Sequence, residues 1–404
     1  MMEKKLLVEL LGQHPNYYLY DEAVIRAAAG RLQSEFPQAQ FLYSVKCNPL
    51  GRVLDTVFDA GLGADAASAA EVDAAAARGL PPEQIYFSAP ARTEEDFRHV
   101  WGRCIIIADS LRELELLSRL AVEKGTTAKV GVRLNPAFTF TADSGVPAKF
   151  GVDQEMFFKE ADRLTALPGI EIVGIHVHAK SQELRADLLA GYHRKMFDLA
   201  SQVQQRLGRP LEFVNFGSGL GIPFAKEEME LDVEAVGASY AAALEAFRRT
   251  APDTRILIET GRYVVGKAGV YVTRVLDKKV SRGATFLLLC GTLNGFARPA
   301  VSRMVRSMTS SPAPCEPIFT CAWSEDWLPL TEATEKETVT VCGNLCTAAD
   351  TIAKNISLPR LEVGDGLAFT NAGCYAAVMT PMQFASMTPP AQLFLTADGQ
   401  VVDG

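Results

Sequence analysis

Long hydrophobic runs are missing from this chain, although 48% of its 404 residues are hydrophobic. A membrane-spanning helix needs about 20 consecutive apolar residues, so we expect no transmembrane segment and no membrane partner. A block of charge of one sign is missing as well, because 40 basic and 48 acidic residues are interspersed and leave a net charge of −8. This pattern argues against a surface that binds nucleic acid.

The chain also lacks the cysteine spacing of a disulfide framework. Its eight cysteines are scattered, and two of them, Cys104 and Cys290, lie in apolar segments. Reduced thiols in a cytoplasmic protein are the simplest explanation. Residues 1–11 (MMEKKLLVELL) contain an acid within their apolar part and no small-residue cleavage site, so we interpret them as mature protein and not as a signal peptide.

What the sequence does contain is an alternation of strand-like and helix-like segments between about residues 40 and 260. Short strands are predicted at residues 40–46, 63–68, 85–90, 105–109, 129–135, 174–179, 213–219 and 255–260. Amphipathic segments separate most of them, for example at residues 69–78, 110–124, 184–208 and 233–249. This pattern is typical of an α/β fold with a (β/α)8 TIM barrel. A doubly wound open sheet is the alternative, but eight repeats in so short a span favour closure.

The pattern changes after Gly261, where β-rich segments follow one another without helices. These segments are residues 264–278, 284–289, 337–341 and 366–369. They predict a C-terminal all-β domain, with which we expect the N-terminal segment to pair. We therefore divide the chain into a barrel at 22–262 and a β-sandwich or β-barrel domain made of 1–21 and 263–404. Residues 307–327, rich in Ser, Pro and aromatics, predict an irregular loop.

Ionisable residues or glycines end nearly every predicted barrel strand. The carboxyl ends of barrel strands meet at one end of the barrel, where active sites lie. The residues at those ends are Lys46, Asp65, Asp109, Arg133, His178, Gly217, Gly219 and Glu259. The set predicts one common pocket.

Lys46 is the most informative of these residues because it follows an apolar run, residues 41–45 (FLYSV). Burial at such a position would disfavour the ammonium form and lower the pKa of the amine, as a Schiff-base lysine requires. The alternative is a lysine that extends from the strand end to solvent. The segment alone does not decide between the two.

Three further motifs are ambiguous on their own. Residues 215–221 (NFGSGLG) could bind a phosphate through backbone N–H groups or form a tight turn. His176 and His178 point the same way from one predicted strand. They could bind zinc, they could be core residues, or one ring could stack on a flat cofactor. Glu259 could keep a pyridine nitrogen protonated or form a structural pair with Arg262.

Taken in order, these motifs resemble the fold-type III pyridoxal-phosphate decarboxylases, the family of diaminopimelate, ornithine and arginine decarboxylases. The resemblance runs from Tyr18 to about Phe384 and implies an alanine-racemase-like barrel followed by an all-β domain. The segments that carry it are 43–48 (YSVKCN), 63–68 (GADAAS), 149–151 (KFG), 178–181 (HAKS), 217–219 (GSG), 259–262 (ETGR), Cys346 with Asp350, and 373–375 (GCY).

The resemblance implies roles for the matching residues, with pyridoxal 5′-phosphate as cofactor and no metal. Lys46 would hold the cofactor covalently, His178 would stack on its ring, and Glu259 would pair with the pyridine nitrogen. Asp65 would support the lysine and the histidine. Cys346 of a neighbouring subunit would protonate the carbon that loses CO₂, so a homodimer with shared active sites is expected. The other expected cofactor-binding residues are Arg133, Ser181, Gly217, Ser218, Gly219, Gly261, Arg262 and Tyr375.

The sequence departs from the family at the substrate end. Diaminopimelate and ornithine decarboxylases follow the cysteine with an acid that binds a distal ammonium group, but here Thr347 follows it. The acid expected near residues 290–294 (CGTLN) is also missing. Arg298 matches the arginine that holds a distal carboxylate in diaminopimelate decarboxylases, and Arg303 and Arg306 lie close by. We therefore predict a carboxylate-bearing amino acid or conjugate, as in the siderophore branch that decarboxylates citryl-diaminopropionate.

Three alternatives remain beside this prediction. The first is diaminopimelate decarboxylase itself. The second is an alanine-racemase-like racemase, which Glu259 and Cys346 oppose, and the third is a non-catalytic homologue, which the complete set of cofactor residues opposes. Lys180 stands where the family commonly has glycine, and it would either add charge near the phosphate or face solvent.

Overall fold

The chain begins with helix α1 (Lys4–Gln13) and strand β1 (Asn16–Asp21). The structure, a computed structural model, describes residues 2–217, 219–224, 228–308 and 327–404. The next elements are, in chain order, α2 (Glu22–Glu35), β2 (Ala39–Ser44), α3 (Gly51–Asp59), β3 (Gly63–Ala66), α4 (Ala69–Ala76), β4 (Ile85–Ser88), α5 (Glu94–Val100), β5 (Ile105–Ala108), α6 (Leu111–Glu123), β6 (Ala128–Asn135), β7 (Val152–Asp153), α7 (Gln154–Thr165), β8 (Ile170–His176), α8 (Ala186–Leu207), β9 (Phe213–Asn215), α9 (Val233–Arg248), β10 (Arg255–Thr260) and α10 (Arg262–Val265).

Eight parallel strands close into a barrel, which confirms the predicted (β/α)8 fold. Their order is β2-β3-β4-β5-β6-β8-β9-β10, and β10 pairs back onto β2. Several strands end before their predicted limits, because the last residues belong to loops at the barrel mouth. Lys46, for example, lies two residues beyond β2, in the 3₁₀ turn Val45–Cys47. In the described ranges, no helix is long and apolar enough to cross a membrane.

An apolar layer fills the barrel below its polar strand ends. Phe213 occupies the centre of this layer, and a Cβ at Gly174 or Gly131 would lie 2.4 or 2.8 Å from its ring. The two glycines therefore make room for the ring. The residues of the layer are Leu42, Tyr86, Ile107, Val173, Phe213 and Leu257. Most lie two residues before a polar strand end, such as Asn215 or Glu259, so side-chain alternation places the polar groups on the same inner face, one layer higher.

Local capping signals set where the outer helices begin and end. The hydroxyls of Ser68 and Ser110 accept N–H groups in the first turns of α4 and α6. Thr93 and Asp96 form a reciprocal capping box at the start of α5. Gly208, in the left-handed conformation, ends α8. These contacts satisfy backbone groups that a helix leaves without internal partners.

A second sheet is built from β1 and the described strands that follow the barrel. Its later elements are β11 (Gly269–Ser281), β12 (Ala284–Leu289), α11 (Arg298–Met308), β13 (Trp327–Leu330), β14 (Lys336–Gly343), β15 (Thr351–Pro359), β16 (Gly366–Phe369), β17 (Ala391–Leu395) and β18 (Val401–Asp403). The order is β15-β14-β12-β11-β1-β17-β18, with β16 joining β11 to β13. Strand β1 pairs antiparallel with β11 and parallel with β17. The domain limits at 22–262 and at 1–21 with 263–404 stay a prediction.

Helix α11 is a correction, since no helix was expected within the β-rich segment. Pro299 stands in its first turn, where a missing N–H costs nothing, and the surrounding strands masked this start signal. Residues 307 and 308 of the expected irregular loop belong to α11, and residues 309–326 lie outside the described residues. The six cysteines of the described ranges are free thiols.

Candidate active site

The amine of Lys46 lies inside the ring of strand ends. Its Nζ is 2.7 Å from Oδ2 of Asp65, a buried residue of β3, and the hydroxyl of Ser44 donates to the same oxygen at 2.8 Å. The lysine side chain is 43% exposed, toward the open barrel mouth. The amine is therefore held at the inner wall and remains accessible from the mouth.

The expectation that burial lowers the pKa of Lys46 is wrong for this arrangement. Burial does disfavour the ammonium form, but the charge of Asp65, followed by Tyr375 and Glu259, outweighs it and raises the pKa of the amine above its ordinary value. A carboxylate at hydrogen-bond distance favours the charged form of a lysine. The amine must therefore lose a proton before it acts as a nucleophile.

Glu259 presents one carboxylate oxygen to two neighbours and the other toward His178. Its Oε1 accepts a hydrogen bond from Nδ2 of Asn215 at 3.0 Å and lies 3.1 Å from Nε2 of His176. Its Oε2 lies 3.9 Å from Nδ1 of His178. Burial alone would raise the pKa of this carboxyl, but His176 and Lys46 together hold it far below its usual range. Glu259 is therefore a buried carboxylate, and it contacts histidines where the sequence left a pair with Arg262 open.

His178 is a neutral imidazole. Burial lowers its pKa to about 3. The carboxylate of Glu259 opposes this shift, whereas nearby positive groups, led by Arg133, lower the pKa further. Its Nε2 lies 3.0 Å from Oγ of Ser181, so two residues of the 178–181 motif contact each other. A neutral ring can stack on a flat, polarised cofactor without an added charge. Lys180, in the same motif, pairs with Glu183 at 2.5 Å.

Arg133 and Asp109 extend the cluster along β6 and the end of β5. Nη1 of Arg133 lies 3.8 Å from Oδ1 of Asp109, and the guanidinium lies over the ring of Phe150, 4.4 Å from its centroid. Burial raises the pKa of Asp109, although the N–H of Gly151 and the charge of Arg133 oppose the shift. The 149–151 motif is thus tied to the strand ends through Arg133 and Asp109.

The glycine loop after β9 is coupled to Glu259. The side-chain oxygen of Asn215 accepts the N–H of Gly217 at 2.9 Å, while its amide nitrogen donates to Glu259. The N–H of Glu259 in turn donates to the carbonyl of Gly217 at 2.8 Å. Ser218 lies outside the described residues. These hydrogen bonds therefore fix the position of the glycine loop relative to the carboxylate of Glu259.

Glycines form a close backbone wall beside this cluster. Gly217 has φ +64°, and a Cβ there would lie 2.3 Å from the carbonyl oxygen of Val177. A Cβ at Gly261 would lie 2.9 Å from Cβ of Cys47, and one at Gly219 would lie 3.0 Å from a leucine side chain of α8. Side chains are excluded at Gly217 and Gly261, and backbone groups can approach a ligand closely there.

Tyr375 contacts both the lysine turn and Arg262. The N–H of Tyr375 donates to the carbonyl of Cys47 at 3.0 Å, and the guanidinium of Arg262 lies 5.1 Å from the tyrosine ring centroid. A hydrogen bond from Cys47, together with Arg262 and Arg298 and against burial, lowers the pKa of the Cys374 thiol to about 6. The 373–375 motif therefore contacts the segment that carries Lys46.

The remaining predicted site residues lie in the second domain. Cys346 is exposed on the loop after β14, and the hydroxyl of Thr347 accepts the N–H of Ala349 in the same loop at 3.2 Å. Asp350 is buried, and its Oδ1 accepts the N–H of Leu293 at 2.9 Å. The structure thus places Cys346 and Thr347 in the second domain, separate from the strands that carry Lys46.

Arg298 is buried and bonded to main-chain oxygens. It donates to the carbonyls of Asn371, at 2.9 Å, and Cys374, and its guanidinium lies 5.0 Å from the ring centroid of Phe224. Nε of Arg303 donates to the carbonyl of Thr351 at 2.6 Å. The side chain of Arg306 lies outside the described set. The substrate-binding roles of Arg298 and Thr347 stay predictions.

Sequence reasoning missed several members of the cluster. The sequence indicates no partner for His176 and shows Asn215 only as the start of a glycine loop. The others missed were Ser44, Glu71 and Ser88. Most of them occupy the same inner face as a recognised strand end, so side-chain parity along each barrel strand was a signal that could have found them.

The donor set fits pyridoxal phosphate. A flat ring with a basic nitrogen suits a buried carboxylate beside a neutral imidazole, which Glu259 and His178 provide. An aldehyde suits the Lys46 amine, and a phosphate suits the backbone wall at Gly217 and Gly219 with Ser181 at its edge. All of these groups come from the mouth of one barrel.

Comparisons with known proteins agree with this fit. The family model described as "Pyridoxal-dependent decarboxylase, pyridoxal binding domain" matches residues 22–266. An L-glutamyl-[BtrI acyl-carrier protein] decarboxylase of Niallia circulans is 32% identical over 93% of this chain and 88% of its own length. A 2-[(L-alanin-3-ylcarbamoyl)methyl]-2-hydroxybutanedioate decarboxylase of Staphylococcus aureus is 25% identical, with 94% of each chain covered.

Solved structures show the same fold. Diaminopimelate decarboxylase of Helicobacter pylori, complexed with L-lysine, has a TM-score of 0.82 and 24% identity, and the match covers 98% of this chain and 95% of that one. Diaminopimelate decarboxylase of M. jannaschii has a TM-score of 0.85 and 23% identity, with coverage of 98% and 90%. The chain therefore belongs to the pyridoxal-dependent decarboxylases, and it is a pyridoxal-phosphate enzyme that removes CO₂ from an amino acid or an amino-acid conjugate.

Proposed function

We propose that the barrel-mouth cluster holds pyridoxal phosphate with each residue in a defined role. Lys46 binds the cofactor covalently, His178 covers one face of its ring, and Glu259 takes the pyridine nitrogen. When bound, the cofactor supplies an electron sink for the bond that releases CO₂. The observation that carries the proposal is the buried carboxylate of Glu259, whose Oε2 lies 3.9 Å from Nδ1 of His178 while Oε1 is held by Asn215.

The same proposal assigns the phosphate to the surrounding backbone and hydroxyl groups. Ser181 contacts His178, and Tyr375 contacts the lysine turn through the carbonyl of Cys47. The full set proposed to bind the cofactor, with Asp65 and Arg133 as supporting charges, is Lys46, Asp65, Arg133, His178, Ser181, Gly217, Ser218, Gly219, Glu259, Gly261, Arg262 and Tyr375. Asp65 keeps the Lys46 amine at the inner wall before the cofactor arrives.

Cys346 completes the site from a second subunit. It is an exposed thiol on a loop of the second domain, suited to reach the barrel mouth of a neighbouring copy. There it donates a proton to the carbon that has lost CO₂. A homodimer with two shared sites follows from this assignment, and a cytoplasmic location remains a prediction from the reduced thiols.

We propose that the substrate is an amino acid whose side chain ends in a conjugated, uncharged group. Thr347 stands where relatives place an acid for a distal ammonium, so a diamine end is poorly matched. Arg298 already donates to two carbonyl groups, so a free distal carboxylate would have to compete with bonds inside the protein. The Niallia circulans relative is named for a glutamyl unit on an acyl-carrier protein. Because decarboxylation needs a free α-carboxyl, a unit joined through its side-chain carboxyl is the suitable form, and it carries neither a distal ammonium nor a distal carboxylate.

A second candidate is the carboxylate-bearing conjugate predicted from the sequence. Three arginines on α11, Arg298, Arg303 and Arg306, favour it, as does the Staphylococcus aureus relative that acts on a citrate-derived conjugate. Diaminopimelate is the third candidate, since several relatives carry that activity in their names.

A substrate panel scored by CO₂ release tests the assignment. The panel contains free L-glutamate, meso-diaminopimelate, L-ornithine, the citryl-diaminopropionate conjugate and an L-glutamyl thioester of pantetheine or of a carrier protein. The glutamyl thioester is expected to have the highest kcat/KM. A higher kcat/KM for the citryl conjugate selects the second candidate, and efficient turnover of meso-diaminopimelate alone refutes both conjugate proposals.

A further inference from the structure

The carboxylate of Glu259 is held by groups from two neighbouring strands. Asn215, at the end of β9, donates to its Oε1 at 3.0 Å. His176, at the end of β8, places Nε2 at 3.1 Å from the same oxygen. His176 pairs in register with Asn215 in the sheet, so the two side chains approach Glu259 side by side. Oε2 lies 3.9 Å from Nδ1 of His178.

The imidazole of His176 is held by a hydrogen bond at Nδ1 and faces Glu259 with Nε2. Its Nδ1 lies 3.2 Å from Oγ of Ser88, a buried residue of β4. When Ser88 donates its hydroxyl proton to Nδ1, the ring hydrogen is left on Nε2, which faces Glu259. The N–H is not aligned with the line to Oε1, so the contact is mainly electrostatic. Ser88 therefore fixes the orientation of the His176 ring and, as a donor, selects this tautomer.

The electrostatic balance at Glu259 depends chiefly on this histidine. Burial raises the pKa of the carboxyl, and its electrostatic interaction with His176 is the largest effect in the opposite direction, ahead of that with Lys46. His178 is itself a neutral ring under these conditions, because burial lowers its pKa to about 3. In the enzyme loaded with cofactor, the amine of Lys46 is bonded to the cofactor. Lys46 therefore does not stabilise the ionised carboxylate of Glu259 equally in the apoprotein and in the loaded enzyme.

We propose that His176 is a positioning residue that acts through Glu259, orienting the carboxylate and keeping it ionised so that Oε2 can bind the protonated pyridine nitrogen of the cofactor. The proposal rests on the assignment of Glu259 to that nitrogen. It gives a function to a histidine for which the sequence indicates no partner. Ser88 acts together with His176, because its hydroxyl contacts the His176 ring and the ring in turn faces the carboxylate of Glu259.

Cofactor binding by the apoprotein gives a readout that does not depend on turnover. Dissociation constants are measured for pyridoxal phosphate and for its deaza analogue, in which a C–H group replaces the ring nitrogen. The ratio of the two constants reports only the contact at that nitrogen. It is measured at pH 8.5 and pH 6 for the wild type, His176→Phe, His176→Gln, Ser88→Ala, Glu259→Gln and the His176→Phe/Glu259→Gln double variant. His193→Phe, the same change at another buried histidine, is the matched control.

We expect His176→Phe to reduce the preference for pyridoxal phosphate over the deaza analogue about tenfold at pH 6, as for one lost charge-assisted contact. The loss is smaller at pH 8.5, where Glu259 remains ionised without help. His176→Gln restores most of the preference because its amide N–H can face Oε1, and Ser88→Ala gives an intermediate loss. The double variant equals Glu259→Gln alone, and His193→Phe equals the wild type.

The outcomes separate this inference from the function on which it rests. If Glu259→Gln leaves the preference unchanged, the assignment of Glu259 to the pyridine nitrogen is wrong. If Glu259→Gln abolishes the preference while His176→Phe retains it at both pH values, only the proposal for His176 is overturned. Equal weakening of both ligands by His176→Phe would reveal a purely structural histidine and would also overturn it.

Discussion

Nζ of Lys46 lies 2.7 Å from Oδ2 of Asp65, and this pairing sets the protonation state of the nucleophile. A strand-end lysine in an apolar setting would have a lowered pKa, but the adjacent carboxylate reverses the shift. Before it bonds to the cofactor, the amine is therefore an ammonium group held at the barrel mouth by its ion pair with Asp65. The proton must leave when the amine bonds to the cofactor, and Asp65 is the nearest acceptor.

Replacement of Lys46 separates covalent attachment from the ion pair. Lys46→Ala is expected to remove the visible absorbance of the bound cofactor and to lower turnover by at least about a thousandfold, because both the covalent bond and the charge are lost. Lys46→Arg keeps a partner for Asp65, so its melting temperature should stay closer to that of the wild type. Absorbance spectra, CO₂ release and thermal unfolding check the two variants. Normal cofactor absorbance in Lys46→Ala would refute the assignment.

Replacement of Asp65 tests the direction of the lysine shift. The Asp65 charge raises the pKa of Lys46, so Asp65→Asn should lower it and let the free amine form at a lower pH. The rate at which apoprotein captures pyridoxal phosphate, measured across pH 7 to 11, should rise at a lower pH in the variant than in the wild type. Stopped-flow absorbance gives the profile. An unchanged profile would mean that Asp65 does not control the amine.

The sequence was sufficient for the barrel and insufficient for the charges within it. Strand–helix alternation predicted all eight barrel strands, because each strand is a local apolar segment between helices. The state of Lys46 depends on Asp65, which lies on the next strand, and no local pattern reports that distance. His176 and Glu259 are likewise brought together only by the order of β8, β9 and β10. Helix α11 was missed because its start signal lies within a β-rich segment.

A buried histidine outside the site should make the loaded enzyme sensitive to acid. His193 packs against Phe36, Phe216 and Tyr240, and burial lowers its pKa to about 3. In the unfolded chain this imidazole binds a proton near pH 6.5, whereas in the folded chain it stays neutral down to about pH 3. The free energy of unfolding therefore decreases as pH falls from about 6.5 toward 3. The loss amounts to about 2 kcal/mol at pH 5.

His193→Phe should remove this part of the acid sensitivity, because phenylalanine fills the aromatic cluster without a titrating group. Urea unfolding of the loaded enzyme at pH 7.5 and pH 5 gives the measurement. The difference in unfolding free energy between the two pH values should be smaller for the variant than for the wild type. A variant that loses as much stability as the wild type would show that His193 is not the responsible group.

Mixing two inactive variants tests whether Cys346 serves the neighbouring subunit. Cys346→Ala should retain the cofactor absorbance, since the thiol is not among the cofactor contacts, while product formation slows or the proton is misdirected. Cys342→Ala, on the same domain, is the matched control and should remain active.

When Lys46→Ala and Cys346→Ala subunits are mixed, half of the dimers are mixed pairs, and each mixed pair contains one site with both groups intact. Activity should therefore return to about a quarter of the wild-type value at full exchange. No recovery, in a sample that native mass spectrometry shows to contain mixed dimers, would place the lysine and the cysteine of each site on the same chain.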